Sequence, residues 1–196
     1  MSAGPRIACV AGLDEAGRGA LAGPVYAAAV ILDERDPFDG LRDSKALSAK
    51  ARERLAQTIV TRAEAWAVAS ASIAEIESIN ILRASLLAMQ RAWEALSRRS
   101  DSALVDGLHL PKLGCTAQAV VDGDALHPCI MAASILAKVN RDAEMCRLDV
   151  EYPGYGFAAH KGYGTRVHLD ALNRLGATPV HRRTFAPVAQ LSLRLA

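Results

Sequence analysis

Short apolar runs separated by glycine-rich or acidic breaks dominate the first third of the chain. Residues 7–13 form a continuous apolar run that ends in Asp14-Glu15 and a Gly-Arg-Gly loop, and residues 25–32 form a second. Residues 66–73 alternate as a third strand would. Between the second and third strands the pattern predicts a helix capped by Ser48, with Ala51, Leu55 and Ile59 on one face. The strongest helical stripe is Leu82, Leu86, Met89, Trp93 and Leu96, at three- and four-residue steps. Two short strands follow, at residues 103–105 before Asp106-Gly107 and 117–121 before Gly123-Asp124. Pro128 opens a helix over residues 130–150. After a loop rich in Gly, Tyr and His (152–164), Thr165 caps a helix running through Arg174. The expectation is an α/β fold, a central mixed sheet flanked by helices, with a C-terminal helical portion. Residues 1–196 are read as a single domain, with an α/β core to about 145 and a helical portion and tail from about 146.

At 51% hydrophobic and 22% charged residues, the composition excludes a largely disordered chain. The net charge of +2 conceals an asymmetry. Basic residues gather from Lys138 onward (Lys138, Arg141, Lys161, Arg166, Arg174, Arg182, Arg183, Arg194), while the strand ends carry acids. A basic surface around an acidic pocket suits a phosphodiester substrate together with a metal ion. Cys9, Cys115, Cys129 and Cys146 lack ligand spacing and read as thiols of a reducing compartment. No apolar run is long enough to span a bilayer, and no signal peptide is evident. A cytoplasmic protein is expected.

Asp14, Asp106 and Asp124 each close an expected strand beside or near a glycine, and strand ends are where open α/β sheets leave a crevice. Glu15 should face away from Asp14, because strand side chains alternate; it joins the others only if the strand breaks there, which Gly17 and Gly19 would permit. Clustered carboxylates suit hard cations such as Mg²⁺ and Mn²⁺. Two such ions about 4 Å apart activate water and stabilise a leaving oxygen in phosphoryl displacement. Taken singly, each acid also reads as an ordinary turn residue.

The segments GLDEAGRGALAGPV (12–25), DSKAL (43–47), VDG (105–107), GD (123–124), AASILAKVNRD (132–142) and YGFAAHKGYGT (155–165), in that order, resemble ribonuclease HII. The resemblance runs from about residue 10 to 185. It implies an RNase H-like fold and hydrolysis of the RNA strand of RNA–DNA hybrids. It also implies nicking on the 5′ side of single ribonucleotides in DNA, with Mn²⁺ or Mg²⁺, leaving 3′-hydroxyl and 5′-phosphate ends. Asp14, Glu15, Asp106 and Asp124 fall on the family's metal-binding acids, and Gly17, Arg18 and Gly19 on its loop that senses the 2′-hydroxyl. Tyr163 falls on the aromatic that packs against the neighbouring sugar. Lys45, Ser134 and Lys138 are read as phosphate contacts. Lys138 and Arg141 also read as a solvated face, Ser134 as bonding back to the preceding helical turn, and Tyr163 as an ordinary loop aromatic. Asp142 reads as structural, and the five histidines form no ligand cluster. Ala20 and Ala46 depart from the family's usual Pro and Lys, and the second departure puts the grip of that loop on the backbone in doubt.

The C-terminal Gln190, Leu191, Leu193 and Leu195 resemble the short peptide that docks bacterial repair proteins on the sliding clamp. An extended tail would present the three leucines on one face, and the competing reading packs them on the last helix. Otherwise the chain is expected to act as a monomer, with no membrane partner. Two other functions compete: a non-catalytic nucleic-acid-binding module, which would have lost at least one acid, and a phosphotransferase, against which the missing Walker pattern argues.

Overall fold

The computed structural model describes residues 9–33, 35, 38, 41 and 48–194, with side chains to 191. Its sheet has the order β3-β2-β1-β4-β5. Strands β1 (Val10–Ala16), β2 (Val25–Ile31) and β3 (Ala65–Ala71) form an antiparallel meander. Strands β4 (Ser102–Asp106) and β5 (Thr116–Val120) add on parallel to β1. The sheet is therefore mixed, as the resemblance to an RNase H-like fold implied.

Helices cover both faces, which is why β2 is apolar throughout instead of alternating. Ala27, Ala29 and Ile31 pack, with Leu13 and Val105, against α2 (Ile73–Glu94) through Ala84, Ala88 and Met89. Ala28 and Val30 pack on the other side against α1 (Ala49–Arg62) and α4 (Pro128–Glu151), through Ile59, Ala132 and Leu136. The alanines of β2 bring the helices close to the sheet. Gly12 in β1 carries this to its limit, since a Cβ there would lie 2.2 Å from the Cys129 carbonyl carbon.

The expected caps are present. Ser48 accepts from the Ala51 amide at 3.3 Å, Thr165 accepts from His168 at the head of α6 (Arg166–Leu175), and Pro128 occupies the first turn of α4. Helix α2 begins earlier than its leucine stripe suggested. A capping box between Ser72 and Glu75 starts it at Ile73, a residue the alternation had placed in β3. It is broken at Asn80 (φ 67°), whose side chain accepts from the Arg83 amide and restarts the helix.

Helix α4 runs unbroken through residues 145–146. Its second half supports the C-terminal portion, made of α5 (Phe157–His160), α6 and α7 (Ala186–Arg194). Residues 20–24 thread through this portion. The Leu21 amide donates to Gly162, the Gly23 amide to Val180 and the Arg182 amide to Leu21, each at 2.8 Å. Among the described residues no helix is long and apolar enough to cross a membrane.

Candidate active site

Strand β1 does not break at Glu15, contrary to the expectation from its glycines. It stays paired with β2 through Ala16, opposite Tyr26. What ends is its other neighbour: β4 pairs with β1 only to Leu13↔Val105 and stops at Asp106. From Asp14 onward one edge of β1 is therefore open. Asp14 points towards α4 and Glu15 towards α2, as alternation requires, yet both border the gap left by β4. Asp106 stands at the end of β4. Asp124 does not close a strand; it sits in the short helix α3 (Gly123–Leu126) after β5, and its amide donates to Asp106 Oδ1 at 3.4 Å. Gly123 packs tightly at this junction: a Cβ there would lie 2.6 Å from Ile130 Cδ1 and 3.3 Å from Asp106 Oδ1.

The acids feel one another. Asp14 is 5% exposed. Burial, then the charges of Glu15 and Asp106, hold its carboxyl well above the usual carboxylate range, against a hydrogen bond from the Ser134 hydroxyl. Burial also raises Glu15, opposed by Arg18, whose Nη1 lies 3.2 Å from Glu15 Oε1. Asp106 is raised by burial and by the charges of Asp124 and Asp122. Among the described residues no three acidic, histidine or cysteine side chains form a ready-made ion cage. The donor set still fits a hard divalent cation. All the donors are carboxylate oxygens, they repel one another when ionised, and Mg²⁺ is ordinarily held by one or two carboxylates with water and substrate phosphate completing its shell.

A cleft of about 370 Å³ opens beside the acids, lined by Glu15, Gly17, Arg18, Gly19, Asp124, Ser134, Lys138 and Tyr163. Ser134 thus faces Asp14 and the cleft. Lys138 is tied to Asp142 one turn along α4, Nζ to Oδ1 at 2.7 Å. Arg52 of α1 also lines the cleft and went unnoticed in the sequence, where it is one of several charged residues on a polar helix. Lys45, with the rest of DSKAL, lies outside the described residues.

Two arginines expected on a basic surface are instead fully buried. Arg141, read as part of a solvated face, donates to the carbonyls of Ala22 (3.1 Å), Pro24 (3.2 Å) and Lys161 (2.9 Å). Arg182 donates to Gly23 (2.9 Å) and Arg18 (3.0 Å), and among the described residues its Nη2 meets no hydrogen-bond partner. The Arg141 guanidinium lies 5.5 Å from the Tyr163 ring centre, and a Cβ on Gly19 would lie 3.9 Å from that ring. Five carbonyls that β-pairing leaves unclaimed thus find donors, and the Gly-Arg-Gly loop is fastened to the loop carrying Tyr163.

Residues 11–188 match the family profile described as ribonuclease HII. The chain belongs to the ribonuclease HII family. It is 60% identical over 179 residues to the ribonuclease HII of Bordetella avium, covering 91% of this chain and 89% of that one. Among solved structures it is similar to the ribonuclease H2 of Pyrococcus horikoshii (TM-score 0.80, 27% identity, 95% and 98% of the two chains). It is also similar to the Archaeoglobus fulgidus chain in a PCNA:RNase HII complex (TM-score 0.78, 25% identity, 93% and 96%). The fold is RNase H-like, and the protein is a metal-dependent endonuclease of the ribonuclease H type.

Among the described residues the histidines form no metal cage, yet His160, His168 and His181, scattered in sequence, meet in the C-terminal portion, His160 stacked on His168 and His181 tilted against it. Of the two readings of the tail, the packed one fits the described residues: residues 186–194 are helical, and Leu191, 8% exposed, packs with Leu21, Leu172 and Val188, while Gln190 is exposed. Burying Leu191 favours this arrangement over an unpaired apolar strand in water. Leu193 and Leu195 have no described side chains.

Proposed function

We propose that this endonuclease cleaves the RNA strand of RNA–DNA hybrids and nicks on the 5′ side of single ribonucleotides embedded in duplex DNA, leaving 3′-hydroxyl and 5′-phosphate ends. The observation that carries the reading is the open edge of β1, where Asp14, Glu15, Asp106 and Asp124 border one gap beside a cleft lined by glycines, cations and an aromatic ring. In this reading the four acids hold Mn²⁺ or Mg²⁺, in a two-ion arrangement. Bound ions lower the pKa of an attacking water and stabilise the leaving oxygen.

The chain's own groups do the rest. Gly17 and Gly19 let backbone atoms approach the 2′-hydroxyl, the group that separates RNA from DNA. Arg18 pairs with Glu15 at rest and turns to a phosphate when substrate arrives, a short move for a half-exposed side chain. Tyr163, 39% exposed, packs on the sugar next to the ribonucleotide. Ser134, Lys138 and Lys45 contact phosphates, and Arg52 joins them from α1. The protein is proposed to act as a monomer in the cytoplasm, as one domain whose C-terminal portion supports the substrate loops.

The test is nicking of a labelled duplex containing one ribonucleotide, with Mn²⁺, with Mg²⁺ and with chelator. Cutting on the 5′ side of the ribonucleotide, with none of an all-DNA control and none in chelator, is expected. Cutting of the all-DNA control at the same rate would overturn the sugar-sensing role, and binding without cutting would return the chain to a nucleic-acid-binding module.

A clamp-type partner is proposed in a restricted form, supported by the neighbour solved as a PCNA complex. Because Leu191 is buried, docking of the whole 190–195 peptide requires the last helical turn to unwind. Co-elution of the full chain with a sliding clamp, lost on removing residues 190–196, is the expected outcome.

A further inference from the structure

Tyr163 is held from beneath by a chain of buried histidines. The Thr178 amide donates to His181 Nδ1 at 3.1 Å, and the Thr178 hydroxyl, which can donate as well, lies 2.8 Å from the same nitrogen. An amide N–H can only donate, so Nδ1 carries no proton and the neutral ring carries its hydrogen on Nε2. That Nε2 lies 3.1 Å from His168 Nε2, which must accept. The hydrogen of His168 is then on Nδ1, 3.0 Å from the Tyr163 carbonyl oxygen, which can only accept. Each bond sets the direction of the next, from the Thr178 backbone to the Tyr163 backbone.

The surroundings fix the rings. His168 is 0% exposed and His181 1%. His160 stacks flat on His168 at 4.5 Å and is itself oriented, taking the Gly162 amide on Nδ1 (3.2 Å) and giving Nε2–H to the Tyr155 carbonyl (2.8 Å). Phe157 meets His168 edge-on, and Tyr155 packs against His181. The Tyr163 carbonyl also receives the Thr165 amide at 2.8 Å, so His168 occupies its second acceptor site. A proton added to either ring of the pair would set two N–H groups head to head, and burial opposes that proton too, lowering His168 and taking His181 to about 4.

We propose that His168 is a positioning residue for Tyr163: its Nδ1–H holds the Tyr163 carbonyl, and His181, oriented by Thr178, imposes the tautomer that makes His168 a donor there. The proposal rests on the reading of Tyr163 as the sugar contact. Displacing a substrate-positioning group by about 1 Å can slow a reaction on the order of 100-fold without abolishing binding.

The experiment compares His168→Asn with His168→Gln. The Asn amide nitrogen stands where Nδ1 stood and can still donate to Tyr163; the Gln amide stands where Nε2 stood and cannot. Single-turnover nicking of a duplex with one ribonucleotide, duplex Kd and thermal melting are measured for each, alone and on a Tyr163→Ala background. His168→Gln is expected to slow nicking about tenfold with little change in Kd, His168→Asn to restore most of the rate, and neither to add to the loss already caused by Tyr163→Ala. Equal impairment of both variants, full activity of His168→Gln, or an additive loss on the Tyr163→Ala background would overturn the proposal alone. Unimpaired nicking by Tyr163→Ala would overturn the reading of Tyr163 with it. Histidine ¹⁵N spectra of the parent protein at pH 7 test the relay without any variant. They should show the Nδ1–H tautomer for His168 and the Nε2–H tautomer for His181, and the reverse pattern would overturn it.

Discussion

Gly17 and Arg141 touch so closely that a single added carbon at Gly17 would lie 1.9 Å from Arg141 Nε. Gly17 also has φ of +100°, a conformation that L side chains rarely adopt. The start of the Gly-Arg-Gly loop is therefore moulded directly onto a buried guanidinium that also faces Tyr163. In the proposed reading, a loop residue with no side chain and a long side chain from α4 together shape the place for the sugar.

Gly17→Ala should accordingly lose about 2 kcal/mol of stability through overpacking and strain at positive φ. It should lower nicking of a single ribonucleotide more than it weakens duplex binding. Urea unfolding beside a single-turnover assay checks both, and a variant with parental stability would show that Arg141 can move aside.

Neutralising a crowded acid should relieve repulsion. Asp14→Asn is expected to stabilise the metal-free protein by roughly 1 kcal/mol while abolishing cleavage, since the Asn oxygen can still accept the Glu15 amide. The raised carboxyls of Asp14, Glu15 and Asp106 contribute stability that is complete below the ordinary carboxylate range and lost as pH rises through their folded-state values. The gain from Asp14→Asn should thus be larger at pH 8 than at pH 4, measured by unfolding in chelator. A gain that shrinks with rising pH would contradict the clustering.

The histidines work in the opposite direction. His181 titrates near 4 in the folded protein against 6.5 as its ordinary value, so the unfolded chain takes up a proton first as pH falls. His168 is lowered as well. Stability from this source is complete above about pH 6.5 and is lost as pH falls towards 4, by on the order of 2 kcal/mol after allowance for solvent screening. The comparison of parent with His181→Gln across that window isolates it from the carboxylates. Parallel pH profiles would show that the ring is free to protonate in place.

Removing residues 190–196 takes Leu191 from its contacts with Leu21, Leu172 and Val188. A loss of about 2–3 kcal/mol is expected from the uncovered side chains, and Leu191→Ala alone should account for most of it. Differential scanning calorimetry of the two variants decides the matter. An unchanged melting temperature would mean the last turn is free to serve a partner.

The order and kind of the strands and of helices α1, α2, α4 and α6 were legible in the chain itself; the short helices α3 and α5 and the last helix α7 were not. Period-2 and period-3.6 apolar patterns, Ser48 and Thr165 as caps, and Pro128 at a helix start are local signals, and they act within a turn or a strand. The motif acids were legible too, as residues. Their geometry was not. Whether Glu15 reaches the gap depended on where β4 stops, because strand pairing joins segments some ninety positions apart, beyond the range of any local pattern. Arg141 and Arg182 read as surface charge because sequence shows a guanidinium but not the carbonyls of residues 18–24 and 161 that surround it. The histidine relay has the same origin: His160, His168 and His181 lie on separate elements and share no spacing, and only their burial around Phe157 brings one ring nitrogen to face another. The sequence by itself determined the strands, the helices α1, α2, α4 and α6 and the candidate acids, since these follow from short-range periodicity and residue chemistry. The tertiary structure alone decided which charges are buried and which side chains meet, because burial depends on how distant segments close over one another.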